Sequence, residues 1–111
     1  MRVDVSHHID ASAPDAEGFY DYHYEYDIYR FSEGGKAYVV RSYIEEGDRA
    51  AIVSCLDGET SRLLGPADLT DPLLIEAVAY LRGVGKTTLD WLTADGYVPL
   101  EPRAAPTAVT L

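Results

Sequence analysis

Between Phe19 and Phe31 the chain reads FYDYHYEYDIYRF, and this stretch fixes how the rest must be arranged. Side chains alternate across a strand. Tyr20, Tyr22, Tyr24, Tyr26 and Ile28 then share one face, and Asp21, His23, Glu25 and Asp27 share the other. Tyr29 and Phe31 continue that second face as an apolar surface. The residues that follow read as hairpins laid against this strand.

Glu33-Gly34-Gly35-Lys36 is a two-residue hairpin signal, because a type I′ turn needs positive φ at both central positions. Such a turn sets Glu33 opposite Lys36, Phe31 opposite Tyr38, Tyr29 opposite Val40 and Tyr26 opposite Tyr43. A β-branched and aromatic second strand runs from Lys36 to Glu46. Gly47-Asp48 is the next turn, with Glu46 facing Arg49, and a third strand spans Arg49 to Leu56. Asp57-Gly58 returns a shorter fourth strand, Glu59 to Leu64. This register places Tyr29, Phe31, Tyr38, Val40, Ile44, Ala51, Val53 and Cys55 on one face. Tyr22, Tyr24, Tyr26, Ile28, Val39, Tyr43, Ile52, Leu56 and Leu63 take the other, and a one-residue slip would exchange them beyond it.

Gly65-Pro66 ends the sheet pattern. Asp71 suits an N-cap, with Pro72 at the first helical position. Leu73, Leu74, Ala77, Val78 and Leu81 form the apolar stripe of a helix that Gly83 ends. Thr87, with Asp90 three residues on, predicts the cap of a second helix holding Leu89, Trp91 and Leu92 and ending at Gly96. Tyr97–Leu100 then extends back across the body. The expected fold is α+β: a four-stranded antiparallel meander with two C-terminal helices packed on one face. Residues 1–18 read as a partly flexible lead-in with a short strand around Val3 and Val5, residues 19–100 as one domain and residues 101–111 as a flexible tail.

The 111 residues suit one core, and their formal charge is −10. From Met1 to Gly35 eight acids face only Arg2 and Arg30, so the first third holds more than half of the net charge. Such a field repels phosphates and acidic membranes and attracts basic partners. Cys55 is the single cysteine, which excludes an intrachain disulfide and suits a reducing, cytoplasmic setting. No window approaches the roughly 20 apolar residues of a membrane span.

Three motifs carry chemistry worth weighing. Gly85-Lys86-Thr87-Thr88 has the end of a phosphate-binding loop, but Tyr80 stands where the first glycine belongs and a helix precedes it, so no phosphate cradle forms. Residues 75–95, with Ala79, Gly83, Val84 and Leu89, resemble the helix-turn-helix pattern. That resemblance implies a DNA-binding regulator with Lys86, Thr87, Thr88 and Trp91 toward the major groove. Against it, residues 66–100 hold Arg82 and Lys86 beside Asp68, Asp71, Glu76, Asp90 and Asp95. That balance cannot neutralise phosphates. Asp21, His23, Glu25 and Asp27, with His7 and His8 elsewhere, offer ligand types for a divalent metal or a histidine base for metal-dependent activity. Successive same-face residues of one strand lie nearly 7 Å apart, too far for more than about two ligands.

The tyrosine face remains. Each tyrosine can bury on the order of 150–250 Å², so several together exceed the apolar patch of roughly 300–600 Å² that an ordinary monomer shows. A partner protein or a second copy of the chain is the expected cover. Tyrosine is also enriched among interface anchors. The reading is a small acidic, non-catalytic protein-binding protein, of an inhibitory or toxin-neutralising kind, without a cofactor. Tyr22, Tyr24, Tyr26 and Tyr43 are its anchors, and Asp21, Glu25 and Asp27 steer a basic partner.

Overall fold

The structure is a computed structural model and describes residues 1–100. The tail expected over 101–111 lies outside the described residues. Seven strands form one mixed sheet, and a single α-helix lies among the described residues. The strands are β1 (Arg2–Ala11), β2 (His23–Glu33), β3 (Lys36–Tyr43), β4 (Arg49–Asp57), β5 (Thr60–Arg62), β6 (Thr88–Thr93) and β7 (Gly96–Pro99). The helix α1 spans Pro72–Gly83. Along the sheet the order is β1-β2-β3-β4-β6-β7, with β5 paired to β4. The fold is therefore α+β but richer in strand than the expected four-stranded meander with two helices.

The first hairpin forms in the anticipated register. Glu33 faces Lys36, Phe31 faces Tyr38, Tyr29 faces Val40 and Tyr26 faces Tyr43. Gly34 and Gly35 both take positive φ, 61° and 82°, as the turn demands. The second hairpin departs from its expected register. β3 stops at Tyr43, and Ile44–Glu46 coil into a short 3-10 helix. Glu46 therefore meets Arg49 as a loose 3.5 Å ion pair outside the ladder. A β-bulge also intervenes: Val39 faces Ser54, yet Val40 faces Ile52, leaving Val53 unmatched. The extra residue exchanges the faces of β4 upstream of it. Ile52 and Ala50 enter the core in place of Val53 and Ala51, while Cys55 keeps its expected buried position.

The first helix begins as its sequence dictates. The Asp71 carboxylate accepts from the Leu73 N–H at 3.0 Å, and Pro72 needs no such partner. Leu73, Leu74, Ala77 and Leu81 are buried against Tyr29, Phe31, Tyr38, Val40, Ile52, Cys55 and Leu89. Gly83 stays helical; Gly85, at φ +97°, carries the chain out of the helix. The Lys86 N–H then bonds back to the Leu81 carbonyl at 2.9 Å.

The expected second helix is strand. Thr88–Thr93, reading TLDWLT, forms β6, which runs parallel to β4 with Arg49 opposite Thr88 and Ile52 opposite Trp91. Threonine and tryptophan favour a pleated surface, and burying Leu89 opposite Ala50 outweighs the weak Thr87 capping signal. Gly96, at φ +108°, turns β6 into β7. Of the two helices required by the helix-turn-helix resemblance, residues 75–95 form only the first, within α1; the second is β6.

At the other end, the lead-in is a ten-residue strand: β1 pairs with β2 from Arg2/Ser32 to Ala11/His23. β3 covers β2 only from Tyr26 onward. Beyond that point β1 and β2 project as a two-stranded arm, whose tip is the loop holding Asp15, Phe19 and Asp21. The molecule measures 62 × 33 × 28 Å with a radius of gyration of 16.1 Å, against about 13 Å for a compact chain of this length. No helix among the described residues is long and apolar enough to cross a membrane.

Candidate functional site

α1 packs on one side of the sheet only, the side of Tyr29, Phe31, Tyr38 and Val40. The opposite side carries the even-numbered residues of β2 and their partners on β3, and no described element lies over it. Four tyrosines there form a connected run of rings. Tyr22 stacks on Tyr24 with centroids 6.0 Å apart, and Tyr24 tilts against Tyr43 at 5.9 Å. Tyr26 meets Tyr43 edge-on at 5.8 Å, and His8 from β1 stacks on Tyr26 at 5.4 Å. Tyr22 and Tyr24 remain 45% and 52% exposed, while Tyr26 and Tyr43 are half-buried by their neighbours.

Two residues complete this surface. The Arg41 guanidinium lies 5.0 Å above the Tyr43 ring and donates to the Tyr97 hydroxyl at 2.6 Å. That contact ties β7 to the tyrosines. Between Tyr24 and Tyr43, at the notch where β3 ends and the arm continues, Glu25, Glu45 and Glu46 edge a shallow cavity of about 240 Å³. Aromatic faces and carboxylates converge there, an arrangement suited to a cationic side chain.

Of the three acids expected to accompany the tyrosines, Glu25 lines this notch, whereas Asp21 and Asp27 lie away from it. Asp21 sits exposed at the arm's tip. Glu25 and Asp27 are on the helix-facing side of β2, where both engage His7 of β1. Asp27 takes its Nδ1 and Glu25 its Nε2, each at 2.7 Å. The two carboxylates hold the His7 pKa above its ordinary value of 6.5, Asp27 most strongly. His23 is not part of this cluster. Among the described residues no group of three or more His, Cys, Asp or Glu side chains is arranged to hold a metal ion. His7 fastens β1 to β2 at the base of the arm.

A second polar cluster lies on the helix side. Arg62 grips Asp68 through both guanidinium ends, at 2.8 and 2.9 Å, and Asp68 also accepts from the Gly65 N–H at 2.7 Å. The Tyr38 hydroxyl shares its one proton between Asp71 at 2.7 Å and Asp68 at 3.0 Å, and Lys36 reaches Asp71 at 3.1 Å. The Arg62 guanidinium first, then the Gly65 N–H and the Tyr38 hydroxyl, outweigh burial and hold the Asp68 carboxyl far below the usual range. Burial and the two carboxylates push the Tyr38 phenol well up. No buried side-chain polar atom here lacks a partner, so the cluster pins β5 and the start of α1 to the sheet. Cys55 is fully buried beside it, and burial raises its thiol pKa, which suppresses the reactive thiolate.

Arg41 was legible from the hairpin register, since it faces Ile28. Tyr97 was not, because the expected second helix concealed β7. His8 was hidden in the lead-in. Comparison with family models, curated proteins and solved structures returned no match.

Proposed function

We propose that this chain is a non-catalytic binding protein that docks a basic protein on its tyrosine face. The uncovered run Tyr22–Tyr24–Tyr43–Tyr26, on the side of the sheet that α1 leaves open, is the observation that supports this reading. Tyrosine supplies large contact area and a polar tip at low entropic cost, and buried rings of this kind act as anchors. The notch edged by Glu45 and Glu46 suits a lysine or arginine of the partner. Arg41 over Tyr43 shows within the molecule the same kind of cation–ring contact. The net charge of −10 favours encounter with a basic surface through long-range attraction. Such a protein would inhibit a basic enzyme by covering its surface, an analogy that rests on size and charge alone.

The test is retention from a nuclease-treated lysate by the immobilised protein and by Tyr24→Ser/Tyr26→Ser. A basic protein held by the wild type, lost with the double variant and released by salt is expected. Circular dichroism should show both proteins equally folded. Retention unaffected by the two substitutions, or collapse of the fold, would sink the tyrosine interface.

A further inference from the structure

β1 ends the sheet, and its outer edge has no partner among the described residues. It is long, it exposes Val5 (53%) and Ile9 (61%), and of the usual edge protections, shortness, a bulge, a cover or charge, it carries charge alone. The sequence of this edge is complementary to its own reverse. In an antiparallel pairing centred on Ser6, Arg2 of one copy meets Asp10 of the other, and Asp4 meets His8. On the opposite side of the sheet Val3 meets Ile9 and Val5 meets His7. Shifting the centre to Val5 sets Arg2 against His8; shifting it to His7 sets Asp4 against Asp10. Ser6 is the one centre of the three that sets Arg2 against Asp10 and pairs Val3 with Ile9 at once.

We infer that a second copy of this chain docks on β1, edge to edge, about a two-fold axis through Ser6. The axis stands perpendicular to the sheet, as an isologous antiparallel pairing requires. It therefore leaves both tyrosine faces on the same side, joined into one surface. The inference does not rest on the basic partner proposed above.

Ser6→Cys tests it directly. Residues self-opposed on the axis bring their Cβ atoms to about 4.5–5.5 Å, near enough to bridge with small adjustment. Cys55, being buried, contributes little background. Under mild oxidation Ser6→Cys should cross-link into dimers on non-reducing gels, and Asp4→Cys, which faces His8, should not. In sedimentation experiments the wild type should self-associate with rising concentration. Asp10→Arg should weaken that association about tenfold by opposing two arginines twice, and Arg2→Asp combined with Asp10→Arg should restore it. A wild type that stays monomeric at several hundred micromolar, equal cross-linking at both cysteines, or no rescue by the double exchange would overturn the inference. None of these variants alters a tyrosine. A monomer that still retains its partner through Tyr24 and Tyr26 would refute the edge pairing alone.

Discussion

Arg62 holds Asp68 by two parallel hydrogen bonds, and through them the shortest strand of the sheet fixes the turn from which the helix starts. Asp68 is buried while the Arg62 side chain is 38% exposed, so Asp68 has more to lose when the pair is broken. Asp68→Ala should cost about 2–3 kcal/mol, toward the lower end for broken ion pairs because Arg62 can turn to water. Urea unfolding of the variant beside the wild type measures it.

The same carboxylate makes stability depend on acid. Its folded pKa lies below the ordinary 3.8, so its contribution is complete above that value and is lost as pH falls through the folded value. Melting temperatures recorded downward from pH 5 should fall more steeply below pH 4 in the wild type than in Asp68→Asn. Parallel curves would show that the acid dependence arises elsewhere.

His7 works in the opposite sense. Its folded pKa is raised above 6.5, so the charged clamp on Asp27 and Glu25 contributes fully below that value and is lost as pH rises through the raised one. The His7 ring resonances should titrate above 6.5. The stability advantage of the wild type over His7→Gln should shrink between pH 6 and 9. An advantage that is constant across this range would remove the clamp.

The two sides of the sheet should respond differently to truncation. Leu81→Ala opens a cavity beneath α1 at a fully buried position and should cost about 2–5 kcal/mol. Tyr24→Ser removes a half-exposed ring and should cost no more than about 1 kcal/mol. Comparable losses in denaturant titrations would mean that the tyrosine face is core after all.

Gly85 provides a purely backbone test. A Cβ there would meet nothing within 4 Å, yet φ is +97°. Gly85→Ala should therefore destabilise by about 1–2 kcal/mol through strain alone. Gly83→Ala, in helical backbone, should be neutral or stabilising.

What the sequence revealed follows from the range of the forces involved. Gly34-Gly35 and the Asp71-Pro72 pair act on neighbours, and both were legible. The Val53 bulge was not, because one unmatched residue between two apolar runs leaves no compositional trace, though it turns Ile52 inward and Val53 outward. Thr87 through Leu92 carried a helical cap and a strand composition together, and the decision fell to a distant partner, Arg49–Ile52 of β4. The tyrosines were found because alternation is local. The separation of Asp27 from them was legible too, yet the claim of His7 on Asp27 and Glu25 was not, since it required β1 to be a full strand.

The parallel seam between β4 and β6 has a consequence for the order of assembly. β1 through β5 are joined by turns and one loop, and each can close on its predecessor at small entropic cost. Thr88 can reach Arg49 only after the whole helical crossover has been laid down and docked. Folding is expected to proceed from the hairpins toward this seam. Until the seam closes, the lower half of β4 is an open edge, and the refolding chain is at its most adhesive there, between Arg49 and Ile52.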